Sequence, residues 1–400
     1  MLHVAGGTYL ERCLFPEWHE LFGSGLRASL AVKNLGAPVT LHTYLARRDE
    51  LTLRAKAASN GIEVNIRAEI SATVGFDYFH GLSTPVIAPP PQLIRQADAF
   101  ELTEDCILRF GFMEGDAVVH GKMVVYDPQS PQSPVLFRDN GSSAEKLAIV
   151  SNRTEGRLLT GRRDPNEIAA ALFESQRCSA VVIKCGSHGC IVCEDGKTTQ
   201  VPAFKTDKVW PIGSGDVFAS AFSKFWALDH KTAAESAELA SKATAYFCGT
   251  KSLLFPADFP ASFALPPISP RSGAPKRVYL AAPFFSMSQN WLVEQALEAL
   301  SSQGLSVFSP LHHVGRGAAN QIYDKDIAGL RESDIVFACV DGLDSGTIFE
   351  IGFAVSLGKP VVAFVQNEPP EDLKMLEGGG CLLEKDFVTA IYKTYWLATS

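Results

Sequence analysis

Short, unbroken apolar runs punctuate this chain, and between most of them the apolar residues recur every three to four positions. The runs are MVVYD, LAIVSN and VVIKCG in the first two thirds, then VYLAAPFF, LSVFSP, IVFACV and VVAFVQ in the last third. Runs of this length without polar alternation are what strands buried on both faces of a parallel sheet require. The spacer from Gln289 to Ser302 instead brings Leu292, Ala296, Leu297 and Leu300 onto one helical face. Strand and helix in alternation predict an α/β protein with parallel sheets and right-handed crossovers. In such sheets ligands gather beyond the carboxyl ends of the strands, and the unusual residues of this chain fall there.

The pattern is interrupted at PPISPRSGAP, residues 266–275, where four prolines with Ser and Gly can continue neither a helix nor a central strand. A linker is expected there. It divides the chain into domains 1–265 and 276–400, both of ordinary size. The stretch from Pro85 to Pro91 is expected to be a loop inside the first domain.

Composition narrows the function classes. Of 400 residues, 46% are hydrophobic and 20% charged, enough to bury a sizeable core. A formal net charge of -8 argues against general nucleic-acid binding, which needs clustered Lys and Arg. No run approaches the roughly 20 apolar residues of a membrane span. MLHVAGGTYLERCLF lacks the basic and apolar regions of a secretion signal, so a cytoplasmic location is expected. The nine cysteines are odd in number, scattered, and mostly inside apolar runs, as buried free thiols would be. Cys190 and Cys193 form a CxxC, but no second pair at metal-ligand spacing accompanies it, and CIVCEDG reads as a strand entering a turn.

Chemistry concentrates first in WPIGSGDVFASAFSKFW, Trp210 to Trp226. Gly213, Ser214 and Gly215 precede a helical pattern, so their backbone N–H groups can converge on an anion with the helix dipole behind them. Asp216 at that point can take a proton from a hydroxyl attacking phosphorus. A Gly-rich turn capped by Asp is the plainer alternative.

In context the segment resembles the C-terminal signature of the ribokinase (pfkB) family, usually written around GAGD. The resemblance makes Asp216 the catalytic base and Gly213, Ser214 and Gly215 the anion hole. VVIKCGSHGC (181–190) resembles the strand and glycine turn bordering the nucleotide, which brings Lys184 and Gly186 to an ATP site. VSNRTEGRLLTG (150–161) resembles the family's NxxE element, implying that Asn152 and Glu155 organise magnesium and phosphate, with Glu155 on Mg2+ directly or indirectly. The same two residues also read as a strand-end and helix-start pair. HVAGGTYLE resembles the opening strand and its sugar-binding carboxylate, with Glu11 where Asp is usual. FGSGLRASLAVKNLG (22–36) resembles the substrate loop and the helix after it, but Phe22 replaces a glycine and Arg27 stands where Asn is usual. Asn bonds sugar hydroxyls, whereas Arg is a forked cation suited to phosphate or carboxylate. Either the acceptor is anionic or the sugar site has been lost; a solvated Arg27 is a third reading. Residues 62 to 83 are expected to supply lid strands.

After IVFACV comes DGLDSGTIFE, Asp341 to Glu350, leading into a helix. The order strand, glycine loop, helix is expected to set Glu350 in the first helical turn, where the dipole favours an ionised nucleophile. A carboxylate there can trap the oxocarbenium character that develops when a nucleoside C1′–N bond breaks. Thr347-x-x-Glu350 is also a capping box. VYLAAPFF, IYDKDIAGLRESDIVFA and DSGTIFEIGFA together resemble the nucleoside 2-deoxyribosyltransferases over nearly the whole domain. The resemblance implies Glu350 as nucleophile, Asp344 and Asp326 as residues that position the substrate, and Tyr279 as an active-site tyrosine. Ala282 stands where glycine is common. Related members hydrolyse nucleoside monophosphates, so transfer and hydrolysis both stay open. His312 and His313 are read as solvated loop histidines or phosphate contacts.

The two resemblances imply a ribokinase-like three-layer domain with a parallel-rich sheet, then a smaller flavodoxin- or Rossmann-like parallel-sheet domain. The function expected is bifunctional: ATP- and Mg2+-dependent phosphorylation of a sugar or nucleoside hydroxyl, and cofactor-free cleavage or exchange of the N-glycosidic bond of a 2-deoxynucleoside or its monophosphate. The alternative is a nucleotide-binding sensor or regulator with one domain catalytically silent. Partners are expected to be small nucleosides, nucleotides or sugars, with no nucleic acid and no membrane. A homo-oligomer is implied, because such transferases often complete their sites across subunit contacts.

Overall fold

A computed structural model describes residues 1–130, 133–261, 263–268 and 276–399. They fall into two compact units, Met1–Pro267 and Ile268–Ser400. Of the expected linker, residues 269–275 lie outside the described residues. Among the described residues no helix is long and apolar enough to cross a membrane.

The first unit contains β1 (Leu2–Ala5), β2 (Leu10–Phe15), β3 (Trp18–Leu21), β4 (Val39–Leu45), β5 (Glu63–Glu69), β6 (Gly75–His80), β7 (Val86–Ala88), β8 (Phe100–Phe110), β9 (Ala117–Asp127), β10 (Ser143–Asn152), β11 (Ala180–Lys184), β12 (Cys190–Glu194) and β13 (Lys197–Val201). Nine of them form one sheet in the order β13-β12-β11-β10-β9-β8-β1-β4-β5. The seven strands from β11 to β5 run parallel, and β12 and β13 close one edge antiparallel. Strand side chains alternate between two cores. Ala148 and Val150 of β10 pack with residues of the helices Gly23–Asn34, Ser214–Ser223 and Ala233–Thr250. Leu147 and Ile149 pack with Ile168, Ala169 and Leu172 of the helix Pro165–Ser175. Burial on both faces is why these strands read as unbroken apolar runs. The β12–β13 turn has Asp195 and Gly196 at φ 49° and 72°, the positive pair a two-residue hairpin needs.

A second sheet, in the order β3-β2-β6-β7, stands apart from the large one. It corrects the expectation for residues 62 to 83. β5 belongs to the edge of the main sheet, and its polar-rich EVNIRAE suits an edge. β6 alone from that stretch joins the small sheet, and β2 and β3 supply half of it. The expected loop at Pro85 to Pro91 contains β7, which pairs with β6. Cys190 and Cys193 both lie on β12 with buried free thiols.

The second unit has β14 (Arg277–Ala281), β15 (Ser306–Phe308), β16 (Ile335–Cys339), β17 (Val361–Phe364) and β18 (Leu382–Glu384), all parallel in the order β15-β14-β16-β17-β18. The chain leaves β14 in one direction and returns to its other side, so the switch point falls at β14, where α/β sheets open a crevice. The helix expected at 289–302 spans Met287–Ser302, begun by a capping box between Ser286 and Gln289. Val293, Ala296, Ala299 and Leu300 are its buried positions, with Leu292 and Leu297 half-buried at the margin. Both units are α/β with parallel-rich sheets, as the strand and helix pattern predicts.

Candidate active sites

In the first unit three parallel strands end side by side in polar residues: β9 in Asp127, β10 in Asn152 and β11 in Lys184. Lys184 Nζ donates to Asp127 Oδ2 at 2.5 Å. Asp127 is fully buried and its Oδ1 has no hydrogen-bond partner. Burial raises its carboxyl above the usual range despite the neighbouring Lys184. Asn152 caps the helix Arg153–Thr160 with its side chain on Glu155 N at 2.9 Å, and Glu155 Oε2 accepts from Asn152 N at 2.9 Å. The strand-end and helix-start pair therefore exists. Glu155 is nonetheless buried, and burial, then the charge of Asp127, push its carboxyl up to about 7. A capping glutamate exposed to water would not be shifted in this way. Gly186 opens the turn after β11 at φ 59°.

The helix Ser214–Ser223 begins directly after Gly213, at φ 80°. A Cβ on Gly213 would lie 2.2 Å from the guanidinium carbon of Arg27, so both the backbone and the close approach require glycine. Asp216 is buried in the first turn. Its Oδ2 accepts from Arg27 Nη1 at 2.7 Å and its Oδ1 accepts from Gln129 Nε2. Arg27 is buried and also donates to both oxygens of Glu11. Burial opposes the Arg27 charge, but Glu11 and Asp216 more than offset it and hold the guanidinium protonated. Arg27 is thus brought into the crevice rather than solvated, with both terminal nitrogens on the protein's own carboxylates.

In the second unit Tyr279 lies on β14, fully buried, and its hydroxyl donates to Glu350 Oε1 at 2.6 Å. Phe308 stacks on the Tyr279 ring at 5.5 Å. The space for Phe308 comes from Gly329, whose Cβ would meet that ring at 2.3 Å. Asp326 on the helix Ala319–Glu332 has a buried Oδ1 without a partner and a carboxyl raised by burial. Asp344 is the N-cap of the helix Ser345–Ser356, with Oδ2 accepting from Thr347 N at 2.9 Å and from Thr347 Oγ1 at 3.1 Å.

That cap corrects two expectations. Thr347 and Glu350 form no capping box, because Asp344 occupies the cap position. Glu350 consequently sits in the second turn, not the first, and the dipole does not dominate its titration. Burial is the largest influence and pushes its carboxyl up to about 7; the Tyr279 hydroxyl pulls it down, and Asp326 and Asp344 push it up. His312 bridges Ser309 Oγ and Glu294, and His313 stacks on Phe308 at 4.9 Å. Both histidines are engaged within their own domain.

The family comparisons divide along the same line. The model of the pfkB family of carbohydrate kinases matches residues 117–258, and that of nucleoside 2-deoxyribosyltransferase matches residues 278–385. The chain joins a pfkB-type kinase region to a nucleoside 2-deoxyribosyltransferase region. Both belong to enzyme families. Solved structures similar to the chain include a ribokinase from Thermotoga maritima (16% identity, 64% of this chain and 94% of that one, TM-score 0.45). A fructokinase from Vibrio cholerae with fructose, ADP and calcium ion bound is similar at 12% identity, over 64% of this chain and 95% of that one, with a TM-score of 0.45. A pyrophosphate-dependent kinase of the ribokinase family, complexed with a pyrophosphate analog and myo-inositol, is similar at 14% identity, over 61% and 94%, with a TM-score of 0.42. Among curated proteins no sequence matches.

Two residues of the pfkB-type crevice escaped sequence reasoning, Asp127 and Gln129. The available signal was YDPQ directly after an apolar run, at the same strand end as Asn152 and Lys184. Glu114 was passed over as well; it is buried and accepts from the Tyr9 hydroxyl at 2.9 Å, its carboxyl pushed up to about 7 by burial. Among the described residues no three His, Cys, Asp or Glu side chains are grouped to hold a metal ion by themselves. Magnesium suits such a place, because it is usually held by one or two carboxylates together with substrate phosphates. The unpartnered Asp127 Oδ1 and the buried Glu155 supply carboxylates of that kind.

Proposed function

We propose that the deoxyribosyltransferase unit cleaves or exchanges the N-glycosidic bond of a 2-deoxynucleoside or its monophosphate, with Glu350 as nucleophile. The 2.6 Å bond from Tyr279 to Glu350 carries this reading. It fixes one carboxylate oxygen and favours the ionised form, leaving Oε2 to attack C1′ as the bond to the base breaks. The departing base takes the electron pair and a proton from solvent, while Asp326, on the helix Ala319–Glu332, is proposed to hold the substrate. Water or a second base then releases the sugar from Glu350. Asp344 holds the helix that presents Glu350 and adds negative charge beside the developing oxocarbenium ion.

For the pfkB-type unit the proposed donor side consists of the Gly213–Gly215 turn, Lys184, Gly186 and Asn152, with Asp127 and Glu155 as carboxylates for Mg2+. When bound, Mg2+ would neutralise charge on the ATP phosphates. Asp216 is the base for an acceptor hydroxyl if this unit phosphorylates a sugar or nucleoside. One contact favours the second reading for this unit, a nucleotide-binding module without turnover: Arg27 Nη1 holds Asp216 Oδ2 at 2.7 Å.

The test is mass spectrometry of a mixed panel of nucleosides, deoxynucleosides and monophosphates incubated with the full chain. Free base is expected from the wild type and not from Glu350→Gln. Base release that persists in Glu350→Gln would refute the assignment.

A further inference from the structure

The resemblance of residues 22–36 to a substrate loop places Arg27 where a pfkB-type unit would receive its acceptor. Arg27 projects from the helix Gly23–Asn34 and is 1% exposed. Nη1 donates to Glu11 Oε1 at 3.0 Å and to Asp216 Oδ2 at 2.7 Å, and Nη2 donates to Glu11 Oε2. Glu11 Oε1 accepts also from Gly23 N at 3.0 Å, and Asp216 Oδ1 from Gln129. All four carboxylate oxygens therefore have protein donors. A hydroxyl about to be phosphorylated needs one Asp216 oxygen to take its proton, and a polyol needs hydrogen-bonding groups for its other hydroxyls. While Arg27 is in place its guanidinium, not a hydroxyl, lies against Glu11 and Asp216, so both carboxylates are already paired with a cation.

The same guanidinium spans two parts of the unit. Glu11 lies on β2 of the small sheet, while Arg27 and Asp216 lie on helices packed against the main sheet. Aromatic contacts follow the same join. Trp18 of β3 stacks on Phe22 at 5.9 Å and meets Trp210 edge-on at 5.3 Å, and Phe22 lies 4.9 Å beneath the Arg27 guanidinium. Moving Arg27 aside would strand two buried carboxylates without a cation, a penalty that hydrogen bonds from a neutral sugar do not offset.

We propose that Arg27 is a built-in occupant of the acceptor pocket. It takes the place of a polyol, latches the small sheet to the body, and leaves the unit able to bind a phosphate donor but not to pass the phosphoryl group to a neutral hydroxyl. This rests on the reading of that unit as a nucleotide-binding module. Asparagine, usual at this position in the family that the sequence resembles, is shorter and neutral, and it frees Asp216.

The experiment uses the full chain as wild type, Arg27→Asn and Arg27→Gln. ADP release from ATP and Mg2+ is followed with and without neutral pentoses, hexoses, inositols and nucleosides, products are identified by mass spectrometry, and folding is checked by melting curves. Wild type is expected to show no acceptor-dependent release. A folded Arg27 variant is expected to gain acceptor-dependent release at least tenfold above wild type, lost again on adding Asp216→Asn. Folded variants as silent as wild type overturn the role of Arg27 and leave the reading of the unit standing. Acceptor-dependent phosphorylation by wild type overturns both. Amide exchange in β2 and β3 of the wild type gives a measure independent of the variants. It is expected to be unchanged by neutral acceptor at high concentration, and marked slowing would overturn the latch.

Discussion

Replacing Tyr279 with Phe deletes one hydroxyl and keeps the ring on which Phe308 stacks. What disappears is the 2.6 Å hydrogen bond to Glu350 Oε1. Burial raises the Glu350 carboxyl to about 7, and the tyrosine hydroxyl opposes that rise by favouring the ionised form. Its removal must therefore move the titration further up. A hydrogen bond to a charged group contributes about 1.5–3 kcal/mol and one pKa unit corresponds to about 1.4 kcal/mol, so the rise should be roughly one to two units. The ionised fraction at pH 7 then falls from about one half to between about one tenth and one hundredth. Base release at pH 7 should drop by roughly 5- to 50-fold and recover in large part above about pH 9. The assay is kcat for base release across pH, in wild type and Tyr279→Phe. An acid limb that stays put, or moves to lower pH, would refute the coupling of Tyr279 to Glu350.

Other expectations concern the same unit. Asp344→Asn removes a charge that raises the Glu350 carboxyl, so the acid limb of the pH profile should move down. Asn still caps the helix, whereas Asp344→Ala should cost about 0.5–2 kcal/mol in chemical denaturation. Glu350→Gln should stabilise the unit at pH 8 by up to about 3 kcal/mol, because a carboxyl raised from its ordinary 4.5 to about 7 loses stability as pH rises through that window. Near pH 4 the gain should vanish, and an equal gain at both pH values would contradict the titration. Gly329→Ala puts a Cβ 2.3 Å from the Phe308 ring; overpacking of about 1–3 kcal/mol in melting curves should accompany lower kcat, as Phe308 shifts against Tyr279.

Most of the sheet framework was legible because both faces of each parallel sheet are covered, which leaves strands such as AVVIK and IVFAC without polar alternation. The small sheet was less legible. WHEL and LERCLF mix exposed and buried positions, and their pairing is set by a tertiary match of β2 to β6 that no local pattern announces. β18 is only three residues long. At the sites, motif positions located Tyr279, Asp344 and Glu350 in sequence, but not which residue would cap. Thr347 has the capping-box spacing to Glu350, yet the chain turns into the helix earlier, after Leu343 at φ 45°, and Asp344 takes the cap. That three-residue difference turns Glu350 from a carboxylate governed by the dipole into one governed by burial. Arg27 shows the limit most clearly. Its forked charge suggested an external anion, whereas folding supplies Glu11 and Asp216, 189 residues apart from Arg27 in the latter case, as its partners.

The most direct test of the central claim is the intact-protein mass of the full chain, acid-quenched during turnover with 2-deoxynucleosides and their monophosphates, followed by peptide mapping. A 2-deoxyribosyl adduct on the peptide that carries Glu350, absent in Glu350→Gln, is the predicted result. Base release with no adduct at any quench time, or an adduct that maps to another residue, would contradict a glycosyl-enzyme formed on Glu350.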